Sequence, residues 1–244
     1  MKLIAAIPCR AQSSRLYAKP LQHIDVENKV TILEYLVRQI RMQKEVSDIV
    51  LAVGEGPENT PFLDLAQKME ISAVVGDTEE VMSRMICAAK SVGGDTILRI
   101  TSECPFIYFD TFTEVFELHC KEKSDLTVIE NLPDGAYYEL IQTKALVRSY
   151  EMGHRGAWVT LHIKEHPEIF KTLKLQPLKE LCRPELRITV DYPEDLMGVR
   201  AIYSALKGEK QFPALRDIIG FLDAHPVVRG WVTAHEAGAG RIWD

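Results

Sequence analysis

The chain has 244 residues, of which 46% are hydrophobic, enough for one α/β domain with a sizeable core. Its net charge of −6 argues against a general nucleic-acid or membrane-surface binder, and its apolar runs are far shorter than the roughly 20 residues that span a bilayer. Five cysteines, odd in number and without a C-x-x-C pair, favour reduced thiols in a cytoplasmic protein.

Apolar runs alternate with amphipathic helical stripes along the first hundred residues. The first run predicts a buried strand and not a signal peptide. Thr31 is the expected N-cap of the first helix, and Pro61 stands at the first position of the second. The predicted strands are 3–8, 49–53, 71–75, 96–100, 126–129, 138–142, 169–175 and 186–190; the predicted helices are 31–42, 59–69, 79–91, 109–120, 144–151, 157–165, 193–206 and about 213–223.

Strand–helix units with short connections predict a mostly parallel sheet with helices on both faces, which is a Rossmann-like three-layer α/β/α fold. The pattern loosens after about residue 100, and we expect strand 169–175 on a smaller, peripheral sheet. The segment after 223 receives no assignment. Because no repeat or clear linker interrupts the sequence, we expect one domain, 1–244, with a small inserted arm over about 131–180.

The loop after the first strand carries three cations and two hydroxyls within ten positions. Ligands of open α/β sheets lie at the carboxyl ends of the strands, where this loop is expected. Arginine suits bidentate phosphate contacts, and lysine acts as a compact point charge. The alternative is a solvated surface loop. The candidate anion-binding residues are Arg10, Ser13, Ser14, Arg15 and Lys19.

Two acidic residues, Glu103 and Asp191, follow predicted strands and are expected at the same edge of the sheet. Mg²⁺ is commonly held by one or two carboxylates together with substrate phosphates. Cations for a triphosphate beside two carboxylates indicate a nucleotide-dependent phosphoryl-transfer site. The alternatives are a turn residue for Glu103 and a helix N-cap for Asp191. We interpret Asp195 as compensation of the helix dipole, without chemistry.

Other reactive residues give weaker signals. Cys9 lies beside the cationic loop, but no base stands near it in sequence to support a nucleophilic role. His162 and His166 have the i, i+4 spacing of zinc ligands, but they lack the glutamate of H-E-x-x-H. The phosphate-binding signature G-x-x-x-x-G-K-[ST] and the dinucleotide signature G-x-G-x-x-G are both absent.

Four segments match known motifs in the same order. Residues 10–21 read R-A-Q-S-S-R-L-Y-A-K-P-L, beside the signature R-x-x-S-[ST]-R-L-P-x-K-x-L. The others, 99–107, 159–168 and 187–196, resemble R-[LI]-T-G-D-C-P-L-I, V-T-P-Y-I-x-x-H-P-E and R-L-T-V-D-T-P-E-D-L. From about residue 1 to 207, the chain therefore resembles the sugar-acid cytidylyltransferases, which make CMP-Kdo and related CMP-sugars, and above all their spore-coat polysaccharide (SpsF-like) branch.

The resemblance implies a Rossmann-like cytidylyltransferase, usually dimeric, whose inserted segment helps to form the dimer and the sugar site. In the implied reaction a sugar hydroxyl attacks the α-phosphorus of CTP and pyrophosphate leaves. Arg10, Arg15 and Lys19 match catalytic positions, and with the two loop serines they bind the nucleotide and its phosphates. Glu103 and Asp191 match the acids that hold Mg²⁺.

Several residues depart from the family pattern. Gln12 replaces a small residue, Tyr17 a proline and Ala18 a glycine, while Glu103 replaces an aspartate that is one methylene shorter. Two alternatives therefore stay open. One is a non-catalytic relative that binds nucleotide or sugar. The other is a nucleotidyltransferase with a different nucleotide or acceptor.

Overall fold

A seven-stranded sheet forms the centre of the computed structural model, which describes residues 1–155, 158–208 and 212–233. The strands of the chain are β1 (Leu3–Cys9), β2 (His23–Asp25), β3 (Val30–Thr31), β4 (Val46–Gly54), β5 (Ser72–Gly76), β6 (Thr96–Arg99), β7 (Leu126–Ile129), β8 (Glu139–Gln142) and β9 (Thr172–Leu175). The helices are α1 (Ile32–Ile40), α2 (Thr60–Lys68), α3 (Val81–Ser91), α4 (Phe112–Glu122), α5 (Thr143–Glu151), α6 (Leu161–Glu165), α7 (Pro193–Leu206), α8 (Leu215–Ala224) and α9 (Pro226–Val232).

The central sheet has the order β5-β4-β1-β6-β8-β7-β9, and of these described strands β8 alone is antiparallel to its neighbours. Alternate side chains of β1 enter two separate cores. Leu3, Ala5 and Ile7 pack with residues of α1 and α2, whereas Ile4 and Ala6 pack with residues of α3. Helices therefore cover both faces of the sheet, and the predicted Rossmann-like three-layer fold is confirmed.

Most predicted elements are present within a few residues of their expected bounds. The predicted cap of α1 is confirmed: the hydroxyl of Thr31 accepts the Glu34 N–H at 3.1 Å, and Glu34 Oε2 accepts the Thr31 N–H at 2.8 Å. This reciprocal pair satisfies two backbone donors that a helix start otherwise leaves without partners. Pro61 lies in the first turn of α2, as expected.

The prediction of a peripheral sheet for 169–175 is wrong. The strand in that region, β9, pairs in parallel with β7 and forms an edge of the central sheet. Its side chains are half-buried or exposed, which is typical of an edge strand. A hydrophobic pattern of that kind does not reveal which sheet the strand joins.

The prediction of a strand over 186–190 is also wrong. Leu186, Ile188 and Val190 are completely buried and alternate as in a strand. Their backbone groups, however, bond to loops: Asp134 N–H to Leu186 O at 2.8 Å, Ile188 N–H to Asp134 O at 2.7 Å, and Val190 N–H to Glu103 O at 3.2 Å. The segment is buried like a strand without belonging to the sheet.

Three remaining differences concern short or peripheral pieces. The helix expected over 157–165 begins at Leu161, and Ala157 lies outside the described residues. The hairpin of β2 and β3 was not predicted, and neither was α9 in the segment without an assignment. Among the helices that the structure describes, none is long and apolar enough to span a membrane.

Candidate active site

Backbone contacts fix the shape of the loop that follows β1. Asn59, just before α2, accepts the Ala11 N–H on its Oδ1 at 2.7 Å. Ala18 donates its N–H to the carbonyl of Ala11 at 2.8 Å and adopts the left-handed conformation, with φ of 49°. The chain then enters a short 3₁₀ helix, Lys19–Leu21. The loop is thus closed between Ala11 and Ala18.

A cavity of about 290 Å³ opens between this loop and the turn after β6. Its position at the carboxyl ends of β1 and β6 is the expected ligand position in an open α/β sheet. Six predicted site residues line it: Arg10, Ser13, Ser14, Arg15, Lys19 and Glu103. The lining also includes Cys9, Gln12, Arg84, Arg99, Thr101 and Ser102.

Asp191 contacts two cations of the loop. Lys19 Nζ lies 2.6 Å, and Arg15 Nη2 2.8 Å, from the same carboxylate oxygen, Oδ1. The alternative role of Asp191 as a helix cap does not apply, because the N-cap of α7 is Tyr192. The structure therefore joins the first loop to the second predicted acid, although the segment before that acid is not a strand.

A buried arginine contacts the second carboxylate oxygen of Asp191, the one that the loop cations leave free. Arg187, 2% exposed, places Nη2 3.2 Å from Asp191 Oδ2, and it also pairs with Asp134 at 3.0 Å and Asp195 at 3.1 Å. Asp195 Oδ2 accepts the N–H groups of Asp191 and Tyr192, each at 2.9 Å. Asp195 is therefore more than compensation of a helix dipole: it is a buried anchor of the chain at Asp191.

These cations keep Asp191 ionised. Burial by itself would raise the pKa of the carboxyl, but Lys19, Arg15 and Arg187 outweigh burial and hold the pKa below its ordinary value. The carboxylate of Asp191 therefore stays negatively charged across the physiological pH range and partly balances the charges of Lys19 and Arg15.

Glu103 lies in the turn after β6 and lines the cavity. Its carboxylate accepts the Ser102 hydroxyl at 3.1 Å. Within the described part of the chain it forms no ion pair, in contrast to Asp191. Its backbone carbonyl accepts the Val190 N–H at 3.2 Å, so the two predicted metal-binding acids stand on hydrogen-bonded segments.

The donor set suits a hard divalent cation. Both acids offer carboxylate oxygens, and no cation among the described residues pairs with Glu103 to compete with a metal. No cluster of three His, Cys, Asp or Glu ligands occurs among residues 1–155, 158–208 and 212–233. A metal at Glu103 and Asp191 would therefore need further oxygens from a bound phosphate or from water, which is how Mg²⁺ is usually held.

The outer part of the loop is tied to acidic residues. Arg10 Nη1 lies 2.9 Å from Glu79 Oε1, and the Gln12 side-chain amide donates to Glu58. Tyr17, in place of the family proline, is 58% exposed. These contacts link the loop to the segments that precede α2 and α3.

The weaker candidates do not gain support. Cys9 is buried, and burial raises the pKa of its thiol, so the thiolate needed for nucleophilic attack is disfavoured. All five cysteines are described, and each is free. The His162 and His166 rings lie 4.4 Å apart between centroids, but the described residues supply no third ligand for zinc there.

Two further arginines, which the sequence motifs do not single out as site residues, line the cavity. Arg99 bonds through Nη1 to the buried Glu139 at 2.7 Å. Arg84 lies on α3 and is 2% exposed. The available signal was a charge inside an apolar segment: Arg99 ends a buried strand, and Arg84 stands between the core residues Met82 and Met85.

The family model for cytidylyltransferases matches residues 4–207. The spore coat polysaccharide biosynthesis protein SpsF of Bacillus subtilis is 25% identical over 230 residues, covering 92% of this chain and 95% of that protein. A cytidylyltransferase of Leptospira borgpetersenii superposes with a TM-score of 0.85 at 20% identity, covering 94% of this chain and 97% of that one. A CMP-2-keto-3-deoxy-manno-octonic acid synthetase solved with CTP superposes with a TM-score of 0.62 at 13% identity, covering 84% and 99%.

The family match covers most of the chain, and the resemblance seen in the motifs is confirmed. The chain belongs to the cytidylyltransferase family and is a nucleotidyltransferase.

Proposed function

We propose that this member of the cytidylyltransferase family activates a sugar or sugar acid with CTP, in a Mg²⁺-dependent reaction that yields a CMP-sugar and pyrophosphate. We assign the product to surface polysaccharide or glycan synthesis. Two comparisons support this: one relative is a spore coat polysaccharide biosynthesis protein, and one structural neighbour was solved with CTP.

One observation carries the proposal. Lys19 and Arg15 share a single carboxylate oxygen of Asp191 at the edge of a cavity lined by further cations and hydroxyls. A triphosphate carries more negative charge and more acceptor oxygens than one carboxylate, so it would take over both cations.

The proposed reaction needs no covalent intermediate. An acceptor hydroxyl oxygen attacks the α-phosphorus in line and releases its proton to solvent, while the bond to the leaving pyrophosphate breaks. Arg10, Ser13 and Ser14 hold the phosphates in place, while Arg15 and Lys19 neutralise the charge that develops on the phosphoryl oxygens. Catalysis is then positioning together with charge stabilisation.

Glu103 and Asp191 are the residues that we propose to hold Mg²⁺. The bound ion supplies Lewis-acid stabilisation of charge on the phosphoryl oxygens. For Asp191 to contribute, its two loop cations must first turn to the phosphates. Glu103 needs no such exchange, because no described residue forms an ion pair with it.

We further propose a cytoplasmic homodimer in which segment 131–180 contributes to the sugar site and to the dimer contact. The sequence resemblance supports this assignment. Analytical ultracentrifugation of the full chain tests it: a monomer at micromolar concentration would contradict the dimer.

Pyrophosphate release tests the activity. Each of the four nucleoside triphosphates is combined with a panel of keto-sugar acids, with and without Mg²⁺. We expect release with CTP and one class of acid, and only when Mg²⁺ is present. Release with another nucleotide would indicate a different specificity. No release with any pair, together with thermal stabilisation by CTP, would indicate a non-catalytic relative that binds nucleotide.

A further inference from the structure

We propose that Arg84 reads the base of the nucleotide and selects cytosine over uracil. The inference rests on the proposed function and adds a residue that decides which nucleotide the site accepts. It comes from a buried guanidinium that lines the cavity and forms no ion pair with any residue that the structure describes.

Arg84 is 2% exposed, yet no acidic side chain of the described chain forms an ion pair with it. Its side chain forms one long hydrogen bond among these residues, from Nη1 to the Cys9 carbonyl at 3.4 Å, and its Nε has no partner there. Burial lowers the pKa of the guanidinium, but arginine stays charged under all ordinary conditions. The nearby acids Asp77 and Glu79 offset this burial only in part, and a buried charge that is incompletely balanced destabilises a fold. A ligand in the cavity that accepts hydrogen bonds would offset this cost.

Two glycines make room for this side chain. Gly54 and Gly76 are the last residues of β4 and β5, and they are partners in the register of that strand pair. A Cβ on Gly54 would lie 2.8 Å from Arg84 Nη1, and one on Gly76 would lie 3.0 Å from Arg84 Cγ. The side chain thus lies in a slot at the strand ends, which fixes where the guanidinium stands.

The order of the strands separates Arg84 from the two acids that we propose to hold Mg²⁺. Arg84 contacts the ends of β1, β4 and β5, whereas Glu103 follows β6 on the other side of β1. Asp191, with its loop cations, lies beside the segment that is hydrogen-bonded to Glu103. A nucleotide whose phosphates lie between the loop cations and these acids then has the β4 and β5 side of the cavity, with Arg84, available for its nucleoside.

The chemistry of the guanidinium favours one pyrimidine. Arginine donates hydrogen bonds and accepts none. Cytosine offers two adjacent acceptors, O2 and N3, which match the fork of Arg84. Uracil carries a hydrogen on N3, so the same approach sets donor against donor. A group that is 2% exposed also suits the flat edge of a base better than a hydrated phosphate.

Isothermal titration of Arg84→Met with CTP, UTP and inorganic tripolyphosphate, beside the wild type, tests the inference. One well-made bidentate contact corresponds to about a tenfold to hundredfold preference for the right base. We expect CTP affinity to fall by that factor, while the affinities for UTP and tripolyphosphate stay unchanged. Arg84→Lys should recover part of the CTP affinity, and the thermal melting of each variant checks its fold.

Gly76→Ala is a second test that keeps the arginine. Its Cβ contacts Arg84 alone within 4 Å, so the variant shifts the guanidinium and should weaken CTP more than UTP. Gly220→Ala is the matched control, because its Cβ would meet no atom within 4 Å. We expect it to bind CTP like the wild type.

The possible outcomes separate the two proposals. Equal loss of tripolyphosphate and CTP affinity in Arg84→Met would make Arg84 a phosphate ligand and overturn the inference. Unchanged CTP affinity would overturn it as well, and in both cases wild-type turnover of CTP would leave the proposed function standing. A wild type that neither binds CTP nor releases pyrophosphate from it would overturn both.

Discussion

Lys19 Nζ lies 2.6 Å from Oδ1 of Asp191, although the two residues are 172 positions apart in sequence. Both side chains are mostly buried, with 10% and 16% exposed, so solvent weakens the pair little. This ion pair joins the loop after β1 to the start of α7, and the first prediction tests it.

We expect Asp191→Asn to lower the rate of pyrophosphate release by about 10²–10³-fold, the usual effect of losing one well-placed electrostatic group. The amide keeps an oxygen for Lys19 but removes the charge that balances Lys19, Arg15 and Arg187, so the thermal melting temperature should fall. The rate is therefore measured at a temperature at which melting shows the variant to be folded. Glu180→Gln, which breaks an exposed pair with Arg216, is the control and should keep full activity. Near-normal turnover in Asp191→Asn would refute its role in holding metal.

Arg187→Met should destabilise the fold by about 3–5 kcal/mol, because it leaves buried carboxylates without their cation. Arg183→Met removes an arginine that pairs with exposed acids, and we expect a loss of no more than about 1 kcal/mol. Urea unfolding of both variants measures the contrast. Equal losses would mean that the network around Arg187 contributes no more than a surface pair.

His119 predicts a pH dependence of stability. The ring is completely buried: Nδ1 lies 2.8 Å from Thr127 Oγ1, and Nε2 lies 3.1 Å from the Gln142 amide nitrogen, a donor. A neutral ring fits these partners, and burial lowers the pKa of His119 to about 4. The unfolded ring has a pKa of about 6.5, so between these values the unfolded chain binds more protons. Stability should therefore fall as pH drops from about 6.5 to about 4.

This loss should reach about 3 kcal/mol at the acid end. Urea unfolding at several pH values measures it, with His119→Gln as the variant that should lack this component. His225→Gln, at an exposed histidine, should retain it. An identical pH profile in His119→Gln and the wild type would contradict the prediction.

Ala18→Gly should stabilise the fold by about 0.5–1 kcal/mol. Ala18 has φ of 49° and ψ of 43°, a conformation that costs a residue with a Cβ about 1–2 kcal/mol. Glycine removes that cost but adds about 0.4–1 kcal/mol of unfolded-state entropy. Ala145→Gly, inside α5, is the opposite control and should destabilise. Lower stability of Ala18→Gly in thermal unfolding would show that the loop is not strained there.

Local patterns were enough to predict the layers of the fold and the ends of most elements. Thr31 could be recognised as a cap because the residue types needed lie within four positions of each other. Segment 186–190 could not be read correctly, because burial on alternate positions predicts a strand whether its backbone partners are strands or loops. Its partners, Asp134 and Glu103, lie more than fifty positions away.

The candidate site divides in the same way. The loop residues stand close together in sequence, and their charges could be read directly. The roles of Arg187 and Arg84 depend on contacts that form only in the folded chain. Arg187 pairs with three carboxylates, and Arg84 lies beside two glycines at strand ends. The spacing of residues along the sequence predicts neither arrangement.

The pairing of Arg15 and Lys19 with Asp191 means that two cations lining the cavity are already in contact with an anion. Any incoming ligand must outperform a carboxylate that is tethered in place and already in contact with both cations. Inorganic phosphate or sulfate, with one small cluster of oxygens, is poorly suited to do so, whereas a triphosphate spans several cations at once. If the site binds a triphosphate as proposed, we expect the tethered carboxylate to make abundant small anions poor competitors for the two cations.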